Sequence, residues 1–254
     1  MVYWWLLTDG HSGYINHELA ITNDGKEAAQ SPVDPMWAYA VELAKRHRPL
    51  VAQHIVAMAI LRCSMHPIWS IPSSHLAVGH LAMTHFADPM SDHLTELNAL
   101  YAYEAIEDTC DSQRTINEWC NMRFLNRRVL DEVISIRNMC VDRMHIHTSL
   151  DTMTEQTRLD IRWVLARAFF RHCAFLTPRD GDEYPRYRTI HGNWETVLAV
   201  DSMLNSLTHQ WVIYDKFKLG QLPYLEKATA IDPAWIVVSW LVSRVRHIFN
   251  RATY

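Results

Sequence analysis

The segment that restricts the fold most is residues 97–114, LNALYAYEAIEDTCDSQR. It contains neither Gly nor Pro, and its apolar residues recur with a period near 3.6, so the pattern predicts an α-helix. One face of this helix begins with Leu97, Leu100 and Tyr101 and then becomes purely acidic, because four carboxylates follow at i, i+3, i+4 and i+7. These acidic residues are Glu104, Glu107, Asp108 and Asp111.

An acidic face of this kind needs a compensating charge. Like charges four residues apart destabilise a helix by about 0.2–0.5 kcal/mol per pair. Water, Arg114 or a basic neighbouring element would offset the repulsion, and so would a divalent cation such as Mg²⁺, which prefers oxygen ligands. The apolar start of the same face favours the cation, because a solvated face has no reason to be aromatic one turn earlier.

The composition favours helices. Only seven of the 254 residues are Gly and long stretches lack Pro, which is typical of a helical protein rather than a sheet with many turns. The formal net charge is −4 and the basic residues are scattered among acids, so we expect no nucleic-acid partner. Five Cys without a CxxC pair, no signal peptide and no apolar run of membrane-spanning length predict a cytoplasmic protein with reduced thiols.

Capping signals divide the chain into helices. Asp34-Pro35 and Asp232-Pro233 each place an N-cap residue before a Pro, which predicts two helix starts. We expect one all-α domain over residues 1–254, a single bundle of about eight to ten helices that follows an irregular segment at 1–35. The predicted helices cover 36–47, 51–63, 74–86, 92–114, 115–140, 151–173, 189–211 and 234–250.

A second segment with a chemical signal is residues 183–192, EYPRYRTIHG. Arg186 and Arg188 offer planar guanidinium donors suited to phosphate, and the segment precedes a predicted helix whose start would favour an anion. The alternative is an ordinary charged loop. The histidines, although numerous, do not share helix faces in a way that predicts a zinc site.

Together the two segments resemble class I terpene synthases. The stretch from Glu107 through Asp108 to Asp111 is similar to the aspartate-rich DDxxD motif of that family, with Glu in the first position. Tyr184, Arg188 and Gly192 match the spacing of its diphosphate-sensing motif. The resemblance implies an all-α bundle around an apolar, aromatic-lined cavity.

The resemblance also implies a chemistry. Glu107, Asp108 and Asp111 would hold Mg²⁺ against the diphosphate of a prenyl diphosphate substrate, and Arg188 would donate to the same group. The rings of Tyr101 and Tyr103 would stabilise the allylic cation formed when this lyase ionises and cyclises its substrate. Of the second metal motif only Asn250 matches a ligand, so the resemblance implies a degenerate or truncated enzyme.

Two other interpretations stay open. The chain is also compatible with a non-enzymatic all-α structural or interaction protein, such as a viral or phage structural protein or the subunit of a homo-oligomer, whose acidic face meets a basic partner. A weaker interpretation lays the last helix on a membrane surface, with Arg244, Arg246 and Arg251 toward the headgroups. Diphosphate release that depends on magnesium would favour the enzyme, and a stable oligomer would favour the structural protein.

Overall fold

The computed structural model describes residues 13–16, 20–146, 153–177 and 184–237. In that part of the chain a layer of helices comes first and a five-stranded β-barrel follows. The helices are α1 (Asn23–Ala29), α2 (Pro35–His47), α3 (Ala52–Cys63), α4 (Leu76–Thr84), α5 (Asp92–Thr109), α6 (Gln113–Met122), α7 (Arg127–Arg143) and α8 (Glu155–Ala168).

Side-chain caps fix where most of these helices begin. The Asp34 carboxylate accepts a hydrogen bond from the Met36 backbone N–H, and Pro35 occupies the first turn, where its missing N–H costs nothing. Ser91 caps α5 in the same way through its hydroxyl, which accepts from the Leu94 N–H at 3.1 Å. Each cap satisfies a backbone donor that no helical carbonyl can reach.

Helix α3 is the centre of the helical layer. All of its residues from His54 to Leu61 are buried, and it packs against α2, α5 and α7. A helix that is apolar on every side is stable only when other elements surround it. The sequence of α3 therefore fixes its central position.

The barrel consists of β1 (Cys173–Leu176), β2 (Arg186–Thr189), β3 (Glu195–Leu198), β4 (Trp211–Lys218) and β5 (Tyr224–Ala230). The strands are hydrogen-bonded in the order β1-β2-β3-β5-β4, and β4 pairs again with β1 to close the barrel. All pairings are antiparallel except β3 with β5, which run parallel. Closure leaves no strand edge exposed along these pairings.

The barrel interior is small and filled by side chains, as expected for five strands. Tyr187 and Leu225 are fully buried there and are joined by Ala174, Val212 and Ala228. A second, larger core lies among the helices and extends to the outer side of the barrel. The barrel contacts the helices through β5, which packs against α5, and through Cys173 of β1 and Ile213 of β4, which belong to the helical core.

The predicted all-α bundle of eight to ten helices is therefore wrong, because a closed barrel occupies the last third of the chain. The predicted helix at 189–211 contains the β2–β3 hairpin, all of β3 and a turn-rich connection. The residues of β4, WVIYDKFK, are β-branched or aromatic at most positions and fit a strand. The low glycine content of the whole chain gave no indication of this local preference for a strand.

Other predictions hold in part. The helix predicted at 115–140 is broken between α6 and α7, where Phe124 has φ of 55°. The helix predicted at 151–173 ends at Ala168, since Cys173 already belongs to β1. The helices predicted at 36–47 and 51–63 are confirmed as α2 and α3. All five Cys are free thiols.

Membrane insertion has a simple length requirement. Among the helices of the described residues, none combines the length and the apolar character needed to cross a bilayer. The segment from 238 onward, which includes most of the predicted last helix and Asn250, lies outside the described residues.

Candidate functional site

The acidic face of α5 is compensated by arginines of α7. Arg137 donates two hydrogen bonds to the Glu104 carboxylate, at 2.7 and 2.6 Å. Arg127 lies 3.5 Å from Glu107. A basic neighbouring helix thus supplies the charge that the sequence requires at these two positions.

The other two carboxylates do not complete a cluster with them. Asp108 is exposed, and Asp111 is exposed and lies beyond the end of α5 at Thr109, so the predicted i+7 position is not on the helix. Within the described residues no group of three or more His, Cys, Asp or Glu side chains is arranged to hold a metal ion. Asn250, the fourth predicted ligand, is outside those residues.

Tyr101 and Tyr103 serve the packing of the helical layer. The Tyr101 hydroxyl is 2.6 Å from Nδ1 of His54 on α3. The Tyr103 hydroxyl donates to Asp131 and accepts from Nε of Arg127 at 3.2 Å, and the ring is fully buried. Burial raises the pKa of both phenols, which therefore stay neutral at physiological pH.

Arg188 lies in a different part of the fold. It is on the outer face of β2, half-buried, with its guanidinium 3.9 Å from the Glu195 carboxylate on β3. The acids predicted to share a substrate with it lie on α5 and just beyond its end, and of these Glu107 pairs with Arg127 of α7. The two predicted halves of a diphosphate site thus belong to separate elements.

The outer surface of the barrel carries a row of four side chains, one from each of four neighbouring strands. Strand register places Glu195 beside Arg188, Arg188 beside Phe175, and Phe175 beside Trp211. The rings of Phe175 and Trp211 lie 5.5 Å apart at an angle of 42°. We call this row, together with Arg186 one pair further along β2, the open face of the barrel.

The β2–β3 hairpin beside the open face is held by one buried hydroxyl. Thr189 Oγ1 donates to the His191 carbonyl at 2.8 Å and accepts from the Trp194 N–H at 2.9 Å. Gly192 has φ of 81°, and a Cβ there would lie 2.7 Å from the Trp194 ring. The hairpin thus fixes an indole that is 54% exposed.

A cleft of about 1150 Å³ separates the start of α2 from this hairpin and from β4. Its aromatic walls include Trp194 and Phe217, whose ring centroids are 6.2 Å apart. Its polar walls include Asp34, His172 and Lys216. Burial lowers the pKa of His172, which stacks on Tyr214 at 5.1 Å, so this imidazole is neutral at pH 7.

Buried charges join the helical layer to the barrel below the cleft. Arg62 of α3 contacts Asp215 of β4 at 2.9 Å and Glu96 of α5 at 3.3 Å. Lys227 of β5 lies 3.3 Å from Glu96 and 3.3 Å from Asp201. Burial alone would raise the pKa of Glu96, but the nearby cations Lys227 and Arg62 outweigh it and lower that pKa.

Asp92, the first residue of α5, forms a second link. Its carboxylate accepts hydrogen bonds from the Ser202 hydroxyl, the Met203 N–H and the Ala228 N–H at 2.7, 2.8 and 2.9 Å. Burial raises its pKa even though Lys227 and these donors favour the ionised form. One side chain thereby fixes α5 to β5 and to the connection between β3 and β4.

A scan against protein-family models finds no match for this chain. A barrel of five strands is also the architecture of the OB-fold, which this strand order resembles. A fold alone does not set a function.

Sequence reasoning identified Arg188 but missed the residues beside it. Phe175 and Trp211 meet only because β1 and β4 close the barrel, and no local pattern predicts that pairing. The sequence of β2, Arg186-Tyr187-Arg188-Thr189, alternates charged with uncharged residues, but four residues are too few to distinguish a strand from a helix turn.

Proposed function

We propose that this protein binds single-stranded nucleic acid on the open face of the barrel. The observation that carries the proposal is the row formed by Arg188, Phe175 and Trp211 across β2, β1 and β4. It lies on the outer surface of the barrel around strands 2 and 3, which bind oligonucleotides or oligosaccharides in many OB-folds, and Trp211 packs against the core of the helical layer at its border. The proposal replaces the terpene-synthase interpretation, whose all-α scaffold is absent.

Each member of the row has a role that fits a flexible strand. The guanidinium of Arg188 donates to phosphate oxygens, with its 3.9 Å contact to Glu195 being a loose ion pair that a phosphate can replace. The rings of Phe175 and Trp211 offer faces on which unpaired bases stack. Duplex bases are already stacked on each other, so the row favours single strands.

The charge of the protein limits how strongly salt affects binding. The net charge is −4, and the open face contributes Arg186 and Arg188 rather than a large basic patch. Two phosphate contacts on a single strand correspond to a slope of about −1.4 in log K against log salt. We therefore expect moderate affinity with a shallow salt dependence, in which stacking supplies most of the binding.

The test is fluorescence polarisation with a labelled single-stranded 12-mer. Arg188→Gln should weaken binding about tenfold and reduce the salt slope, because one charged phosphate contact is lost. The matched control is Arg114→Gln, which removes an exposed arginine of the helical layer whose partner is Glu118. That variant should bind as the wild type does.

Three outcomes would contradict the proposal. The wild type could fail to bind single strands, bind duplex equally well, or lose as much affinity in Arg114→Gln as in Arg188→Gln. Binding of a neutral oligosaccharide in place of the 12-mer would assign the open face to the other ligand class of this architecture.

A further inference from the structure

We propose that the cleft between the helical layer and the barrel binds one unpaired nucleobase that carries an exocyclic amino group, stacked on Trp194. The inference rests on the proposed function, because the base would belong to a strand bound on the open face. It adds a base-selective site at the end of that surface. Three groups line the cleft for this purpose: the indole of Trp194, the Asp34 carboxylate and the Lys216 ammonium.

The indole of Trp194 is held in place before any ligand arrives. Its backbone N–H is bonded to Thr189 Oγ1 at 2.9 Å, and its ring covers Gly192, where a side chain would collide with it. Phe217 lies beside it at 6.2 Å, and both rings line the cleft. A fixed, largely exposed aromatic face favours stacking of a base, because little side-chain freedom is lost on binding.

The Asp34 carboxylate is the hydrogen-bond acceptor that distinguishes one base from another. It lines the cleft, is half-buried, and accepts one hydrogen bond, from the Met36 N–H at 2.9 Å. An ionised carboxylate has about four acceptor sites, so it can accept further donors. Burial raises the pKa of Asp34, which reflects incomplete solvation of a charge that an amino donor would satisfy. Amino groups of cytosine, adenine and guanine fit this acceptor, whereas the O4 carbonyl of uracil opposes it.

The cleft and the open face have lining residues that are adjacent in the sequence. Trp194 is followed directly by Glu195, the residue whose carboxylate lies beside Arg188. Lys216 is exposed at the cleft on β4 and provides a cation for the phosphate of the bound nucleotide. A volume of about 1150 Å³ has room for one nucleotide.

The test compares CMP with UMP, which differ at C4 by an amino group and a carbonyl. By calorimetric titration the wild type should bind CMP about fivefold more tightly than UMP. Asp34→Asn should abolish or reverse that preference, because the amide can donate to uracil O4. Asparagine is also a good N-cap, so α2 should remain intact, which circular dichroism would check.

Two variants test the stacking surface. Trp194→Leu should weaken both nucleotides about tenfold, and Trp194→Phe, which keeps an aromatic face, should restore part of the loss. Equal affinity of the wild type for CMP and UMP would overturn the inference, as would an unchanged preference in Asp34→Asn or unchanged affinity in Trp194→Leu. A folded wild type that binds neither nucleotide would overturn it as well.

Failure of the two proposals can be told apart. Arg188→Gln should leave mononucleotide binding unchanged while it weakens the 12-mer. If the wild type binds CMP selectively but does not bind the 12-mer, the proposal for the cleft stands and the proposal for the open face fails. If the wild type, Asp34→Asn and Trp194→Leu all bind the 12-mer equally well, the proposal for the open face stands and the proposal for the cleft fails.

Discussion

His93 shows how a single buried side chain makes folding depend on pH. It is 1% exposed, its Nδ1 is 2.8 Å from the Thr229 hydroxyl, and its ring meets Trp37 edge-on at 5.6 Å. Its Nε2 has no hydrogen-bond partner within the described part of the chain. Burial lowers its pKa to about 4, although the charges of Asp215 and Glu96 oppose the shift. The imidazole is therefore neutral in the folded protein.

The sign of the resulting pH dependence follows from proton binding. An unfolded histidine has a pKa near 6.5, so between about pH 6.5 and 4 the unfolded chain binds more protons than the folded one. The contribution of His93 is fully present above pH 6.5 and falls by about 1.4 kcal/mol per pH unit below it, or about 3 kcal/mol in all. Urea unfolding from pH 7 to 4.5 would measure it.

The control separates His93 from the other titrating groups. His93→Gln should flatten the dependence without removing it, because the pKa of His172 is also lowered by burial and acts in the same direction. His80→Gln, at an exposed position on α4, should leave the dependence as in the wild type. An unchanged slope in His93→Gln would show that folding does not lower the pKa of His93.

At the scale of elements, β4 and β5 change orientation halfway along. Val212 and Tyr214 belong to the barrel core, but the next residue of β4 to contact that core is Phe217, whose partly buried ring also lines the cleft. In β5 the interior residues are Leu225 and then Ala228. The strands keep their register across this point, and Lys227 there has φ of 54°. The kink turns Asp215 and Lys227 toward the helical layer.

The left-handed backbone at Lys227 gives a test of stored strain. An L-residue with a side chain is less stable there than glycine by about 1–2 kcal/mol. Lys227→Ala and Lys227→Gly both remove the ammonium that contacts Glu96, so both should lower the free energy of unfolding. Lys227→Gly should nevertheless be the more stable of the two by about 1 kcal/mol, which is opposite to the usual order in strands.

Urea titration of both variants would decide the question. A matched pair at Lys218, in the same sheet and without a positive φ, should show the usual order, with Ala above Gly. If Lys227→Ala proves equal to or more stable than Lys227→Gly, the backbone at that position is not strained.

The same elements show what the sequence could predict. Helices α2 and α3 carry their signals locally, in the Asp34-Pro35 cap and in a continuous apolar run, so the prediction is confirmed. Strands β1, β2 and β3 have four residues each, which is too short for a period to be distinguished from a helix turn. Their stability comes from pairing with distant strands, which no local window contains.

At the scale of the whole molecule, the joint between helices and barrel is the least predictable feature. Arg62 and Asp215 are 153 residues apart in the sequence and meet at 2.9 Å, with Trp37 also donating to Asp215 at 3.3 Å. Charged residues in the sequence give no sign of which ones are buried together. The candidate site shares this property, because both the open face and the cleft arise from strand register and from the packing of two layers.

Because Arg62 joins the helices to the barrel, we expect the free energy of unfolding to depend on it far more than on an exposed arginine. Arg62→Met has a similar volume but leaves Asp215 without its guanidinium and Glu96 with Lys227 alone, both being buried. Removing one partner of a buried ion pair costs about 3–5 kcal/mol, mostly because the remaining charge is unsolvated. Arg114→Met, which breaks an exposed pair with Glu118, should cost less than about 0.5 kcal/mol.

Arg62→Met should cost more than Arg114→Met because the charge it leaves behind is shielded from solvent. A third variant tests this explanation. Replacing Arg62 and Asp215 together, by Met and Asn, removes the guanidinium and the carboxylate charge it compensates, so the double variant should be more stable than Arg62→Met alone. Urea unfolding followed by circular dichroism gives all three free energies. If Arg62→Met stays within 1 kcal/mol of the wild type, or if the double variant is less stable than the single one, the pair does not hold the two layers together. The helices and the barrel would then be joined chiefly by apolar packing and by Asp92, whose carboxylate binds the barrel through three hydrogen bonds that do not involve Arg62.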